Sequence, residues 1–249
     1  MMQLRYIIIL VLVFSCSNEN ANDCFQTSGK IVTQEVEVTS FTKILVNRGV
    51  ELIVSESVDY EVVIKTGENL LNDVEAKVIG DELQISDNNN CNFVRDYGIT
   101  KVFVTAPNIT EIRSSTQYDI SSQGILNYSS LRLLSEDFNE PETFTVGDFR
   151  LELNSTHLSI TENNISTFYI SGQTENLYIG FFAGAGRFEG ENLIAQHVDI
   201  FHRGSNDIII NPQQSLLGEL RGTGNVIAVN QPLSNSLEQF YIGQLIFID

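Results

Sequence analysis

The sequence predicts an all-β fold. Short alternating apolar runs, apolar positions recurring every ten residues, and polar Gly- and Asn-rich segments between them carry that prediction. Nothing after residue 16 shows a helical period. At 249 residues and 42% hydrophobic content the chain can fill one sizeable core.

In chain order, residues 1–15 read as an export signal. Arg5 supplies the early positive charge, Tyr6 to Phe14 is an uninterrupted apolar run, and the small Ser15 precedes Cys16. The run of nine apolar residues is far short of the roughly 20 that span a bilayer. Val13-Phe14-Ser15-Cys16 resembles the bacterial lipobox, in which the cysteine thiol is acylated before the signal is cut away. Phe14 departs from the small residue usual there. A plain secretory signal with an incidental cysteine is the alternative. Residues 16–23 suit a polar tether, and Ser17 after the cysteine favours the outer membrane by resemblance to Gram-negative sorting.

Residues 24–249 then form a single domain. With Cys16 acylated, Cys24 and Cys91 remain, an even number in an oxidising compartment, and a Cys24–Cys91 disulfide is expected. Early strands are read at Val36-Glu37-Val38, Leu52-Ile53-Val54, Tyr60-Glu61-Val62-Val63-Ile64, Leu83-Gln84-Ile85 and Val102-Phe103-Val104. Ser135 to Glu142 reads as a loop, since Pro141 cannot donate to a central ladder.

The later half carries the strongest pattern. Leu158, Phe168, Tyr178, Phe188, Val198 and Ile208 form one apolar column; Ile160, Ile170, Gly180, Gly190, Ile200 and Ile210 form another two residues on. Ten residues make a strand plus a corner. No Asn-Gly or Asp-Gly hairpin turn separates these strands. The corners are varied, as at Glu162-Asn163-Asn164, Ser171-Gly172-Gln173, Gly184-Ala185-Gly186 and Gly204-Ser205-Asn206. A β-solenoid is therefore predicted, with a β-sandwich as the alternative. Its ends need covers, assigned to residues 24–45 and 237–249.

Three segments together resemble the head GIN domain family of auto-transporter adhesins. They are Phe41-Thr42-Lys43-Ile44 with Val50 to Val54, Gly98 to Pro107, and Gly204 to Ile208 with Leu220 to Val226. The resemblance runs from about residue 36 to 232 and fits least between Leu126 and Phe149. It implies a single-stranded right-handed parallel β-helix and export, frequently as a lipoprotein. It implies no reaction and no binding residues.

Composition narrows the function classes. With 14 Lys+Arg against 32 Asp+Glu the formal charge is −18, which repels nucleic acid and anionic headgroups alike, so membrane attachment falls to the lipid on Cys16. His157, His197 and His202 are the only histidines; the first two lie 40 positions apart, two coils in the stack, which is awkward for one metal. Neither metal nor cofactor is expected. The acidic residues Glu136, Asp137, Glu140, Glu142 and Asp148 lack calcium-loop spacing. A polysaccharide lyase needs a basic residue beside such a cluster; Arg150 with Asp148, or His202-Arg203, are the candidates. Gly184-Ala185-Gly186 has no following helix to hold a phosphate. Tyr169, Tyr178, Phe181, Phe182 and Phe201 lie on or beside strands, and outward rings would stack on sugars; Phe168, Tyr178 and Phe188 are assigned to the core and Tyr169 outside.

The reading is a non-enzymatic envelope lipoprotein, adhesin-like or structural, with a glycan or envelope protein as partner. A carbohydrate-active enzyme on the same scaffold is the alternative. Replacing Cys16 by Ala is expected to abolish incorporation of labelled fatty acid and to release the chain from the membrane fraction. Unchanged membrane retention of that variant would contradict the anchor.

Overall fold

A computed structural model describes residues 23–89, 91–138 and 142–248. The signal segment 1–15, Cys16 and the tether as far as residue 22 lie outside the described residues. The chain is all-β. Its strands are β1 (Ile31–Val36), β2 (Lys43–Val46), β3 (Glu51–Glu56), β4 (Glu61–Gly67), β5 (Val74–Ile79), β6 (Glu82–Asp87), β7 (Lys101–Ala106), β8 (Glu111–Ser114) and β9 (Ile120–Leu126). They continue with β10 (Ser130–Ser135), β11 (Phe149–Glu162), β12 (Thr167–Phe181), β13 (Arg187–His202), β14 (Ile208–Leu220), β15 (Val226–Ala228), β16 (Ser234–Gln239) and β17 (Leu245–Phe247).

All of these strands belong to one mixed sheet that wraps round a single core. The long strands β11 to β14 explain the wrapping, because each has an N-terminal half on one face and a C-terminal half on the other. The first half of β11 pairs with β9, whereas its second half pairs with β10. Following the pairings, face A runs β1, β4, β7, β3, β9, the first halves of β11 to β14, β15 and β17. Face B runs β5, β6, β2, β8, β10, the second halves of β11 to β14, and β16. The antiparallel pairs β1–β4, β4–β7 and β5–β6 are confined to the first pole; every other named pair is parallel.

Like positions stack through the layers. On face A, Ile64, Val102, Leu52, Ile120, Phe149, Phe168, Phe188, Ile208 and Val226 lie in register and are buried. Phe149 and Phe168 stack with centroids 4.8 Å apart. On face B the column is Leu83, Ile44, Ile112, Leu133, Ile160, Ile179 and Ile200. The ten-residue recurrence is therefore half a rung. A full rung returns to its face after 19 residues from Phe149 to Phe168 and after 20 from Phe168 to Phe188.

Each rung turns in two ways. One turn is a bend inside a continuous strand: Gly172, read from sequence as a corner, sits within β12 at φ +106°. The other is a Gly-rich loop whose backbones touch. A Cβ on Gly184, at φ +79°, would lie 2.0 Å from the Asn164 carbonyl oxygen, so only glycine permits this stacking. The ladder continues as Ser205 N donates to Gly184 O at 3.0 Å and Gly243 N donates to Gly222 O at 3.2 Å.

Three expectations need correction. Tyr178 is half-exposed, since Leu177 and Ile179 take the inward places on either side of it. Half-rungs differ in length by a residue or two, and each odd difference moves a side chain to the other face. The segment 24–45 is only partly a cover: β1 closes the edge of β4, whereas β2 lies inside the stack between β6 and β8. Residues 237–249 do not cover the second pole; β16 and β17 form its last layer.

Candidate ligand-binding face

Side chains alternate along a strand, so the residues flanking the buried Leu131, Leu158, Leu177 and Val198 of face B point outward. One outward row is Ser130, His157, Asn176, His197 and Ser215; the other is Arg132, Ser159, Tyr178, Asp199 and Leu217. Together, Ser215 apart, they line an open groove of about 470 Å³. Asn176 lies between His157 and His197, so the two rings are two layers apart, as their spacing predicts. His197 Nδ1 is 2.8 Å from Ser215 Oγ. Arg132 pairs with Glu111 at 3.3 Å.

The groove continues into an aromatic patch along β12. Gly180 follows Tyr178 on the outward side, and a Cβ there would come within 2.7 Å of the Phe182 ring and 2.9 Å of the Tyr178 hydroxyl. The missing side chain lets those rings lean together. Phe182 stacks on Phe201 with centroids 5.0 Å apart and meets Phe138 edge-on at 5.7 Å. Burial, then the neighbouring Asp199 carboxylate, pushes the Tyr178 phenol up, so its hydroxyl stays a neutral donor. Phe181, in contrast, is buried.

The other sequence candidates are not brought together here. Arg150 lies on face A with Asp119 at 2.7 Å and Asp148 at 3.1 Å, and its guanidinium sits 4.0 Å over the exposed Tyr169 ring. Glu136 pairs with Arg113 at 2.7 Å, and Asp137 accepts from Asn163 at 2.6 Å. Glu140 lies outside the described residues. Among the described residues no group of three or more His, Cys, Asp or Glu is placed to hold a metal ion. Cys24 and Cys91 are bonded, with Cα atoms 4.4 Å apart, and Phe93 N donates to Cys24 O at 2.9 Å beside them.

The sequence reading missed a buried polar corner. Ser135, Glu162, Phe181, His202 and Leu220 stack in register inside the loop-side turn. His202, named above only as a candidate base with Arg203, is wholly buried, edge-on to Phe181 at 6.0 Å, with no well-formed hydrogen bond at either ring nitrogen. Parity was the available signal: 198, 200 and 202 share a face, as do 158, 160 and 162. Glu162 Oε1 accepts from Asn164 N at 2.5 Å, and Gly186 leaves room for the carboxyl. Burial pushes Glu162 up to about 8, against backbone hydrogen bonds from Asn164 and Ser166. Burial pushes His202 down to about 4, partly offset by the Asn206 backbone and Asp207.

A carboxyl with a raised folded pKa stabilises fully below its unfolded value and loses that contribution as pH rises through about 8. His202, shifted the other way, costs stability only as pH falls below its ordinary range near 6.5. Between roughly pH 6.5 and 8 Glu162 alone acts. Urea unfolding of the native chain is expected to lose up to about 2 kcal/mol across that window, and Glu162→Gln to flatten the loss. Equal slopes in the two chains would contradict the buried neutral carboxyl.

Comparison with known proteins places the fold. The family described as "Putative auto-transporter adhesin, head GIN domain" matches residues 40–232. No curated protein matches the sequence. A crystal structure of a "putative adhesin" from Bacteroides fragilis superposes with a TM-score of 0.78 at 20% identity, covering 89% of this chain and 99% of that one. A "putative lipid binding protein" from Parabacteroides distasonis gives 0.58 at 15% identity, with 89% and 98% covered. A "putative adhesin" from Parabacteroides merdae gives 0.56 at 15% identity, with 89% and 97% covered. At such identities the likeness is one of fold.

Proposed function

The chain belongs to the head GIN domain family, and on that premise we propose that it is a non-enzymatic lipoprotein of the cell envelope whose outer face B binds a neutral glycan. The groove of Tyr178, His157, Asn176 and His197 beside the Phe182–Phe201 stack carries this reading. Sugar rings present axial C–H groups that pack on aromatic faces, and their hydroxyls need donors and acceptors at the rim. Amide, imidazole and carboxylate groups of the two outward rows supply both. A formal charge of −18 disfavours acidic polysaccharides, which leaves neutral ones.

The scaffold is read as a right-handed parallel β-helix. Its rungs join parallel strands through crossovers, and such connections are right-handed in about 98% of cases. Acylated Cys16 holds the domain, and Ser17 directs it to the outer membrane. An enzymatic reading gains little, because the Arg150 guanidinium is held in ion pairs with Asp119 and Asp148 and His202 is wholly buried.

A glycan array probed with the mature chain is expected to give neutral-glycan hits. Tyr178→Ala and Phe182→Ala should each weaken them about two- to twelvefold, the range of an aromatic contact of about 0.5–1.5 kcal/mol. Tyr169→Ala on face A should leave binding intact. An array without hits, or a Tyr178→Ala chain that binds as the native one does, would overturn the proposal.

A further inference from the structure

The two poles of the stack are finished differently. At the first pole the edge strands β1 and β5 carry charges: Glu35 on β1, and Glu75 with Lys77 on β5, paired at 3.3 Å and exposed. Charged edge strands are a standard protection against strand addition. At the second pole β16 pairs only with β14 and β17 only with β15, so one edge of each has no strand beyond it among the described residues. Between residues 234 and 249 the charged side chains are Glu238 and Asp249, the second outside the described residues.

In the same layer β16 is polar apart from Leu237, whereas the segment after it and β17 are apolar and exposed. Phe240, Tyr241, Ile242, Ile246, Phe247 and Ile248 are each between 37% and 67% exposed. Within it the core columns end on Leu237 and Leu245, which are only partly buried. The inner layers have a neighbour on both sides, and this one has a neighbour on one side only. Arg221 lies 4.1 Å over the Phe240 ring and is bonded to Glu219, so the nearest cation adds no net charge.

We propose that this pole is a self-association face, on which a second copy of the chain seats its own β16–β17 layer. The charge pattern selects that partner. Two chains of formal charge −18 repel over most of their surfaces, but here charge is sparse, Glu238 and Asp249 alone, beside the apolar segments 240–242 and 245–248. A two-fold axis across the stack brings the open edges together antiparallel, which is self-complementary and closes. Stacking second pole on first would instead meet the charged edges of β1 and β5. Cys24 lies at the far pole, so the Cys24–Cys91 bonds of the two copies stand at opposite ends of the dimer.

Sedimentation velocity on the mature chain carrying Cys16→Ala, from low micromolar to about 1 mM, tests this. A monomer–dimer equilibrium is expected. Phe247→Lys and Ile242→Lys, both at exposed positions, should each weaken it at least tenfold with unchanged thermal unfolding, and Ile79→Lys at the opposite pole should leave it unchanged. A chain that stays monomeric throughout overturns the proposal, as does a dimer indifferent to both lysines. Flotation of a monomer with phosphatidylcholine vesicles that is lost in Phe247→Lys also overturns it and assigns the face to a membrane.

Discussion

Every layer of this protein depends on the one above and below it. A rung of two short strands has too little apolar surface to hold its shape alone, and parallel stacking buries each inward side chain against its equivalent in the neighbouring rungs. Phe149 on Phe168 is the tightest case, with ring planes 8° apart. Burying a phenylalanine contributes about 1.5–3 kcal/mol, and Phe168 is covered by Phe149 in register with it and by Phe181 across the core. The corners serve the same constraint. Carbonyls of Asn164, Gly204 and Gly224 lie where a side chain on the next rung would stand, so glycine occupies Gly184, Gly222 and Gly243.

Two consequences follow for the outside and the ends. Because rungs stack in register, outward rows are as regular as the core, and a polar row and an aromatic patch arise from residues far apart in sequence. Phe182, just after β12, meets Phe201 of the next layer in this way, and Phe138 from the loop after β10 joins them. A stack must also stop. The first pole turns antiparallel, and the Cys24–Cys91 bond ties the segment before β1 to the loop before β7. The second pole keeps the parallel pairing to its last strand.

Much of this was legible in the sequence. Phe168, Phe188, Val198 and Ile208 could be placed in the core because period-two alternation and the half-rung repeat agree there. Tyr178 could not, since counting by ten slips against half-rungs of unequal length. His202 and Glu162 were hidden because polar residues near corners normally face water, whereas parity carries both into the turn. Layer order was not legible either. β2 and β3 sit between the layer of β6 and β7 and the layer of β8 and β9, so the chain builds backwards before it builds forwards. Strand patterns record which face is buried and say nothing of which strand lies next door. For the candidate face, the aromatic residues were readable one by one, but their convergence depends on register.

Urea unfolding of Phe168→Ala, with hydrogen exchange followed strand by strand, tests the dependence of each rung on its neighbours most directly. Removing the ring should cost about 3–5 kcal/mol, and amide protection should fall in β11 and β13 as well as in β12. A loss below about 1 kcal/mol, or one confined to β12, would contradict the account.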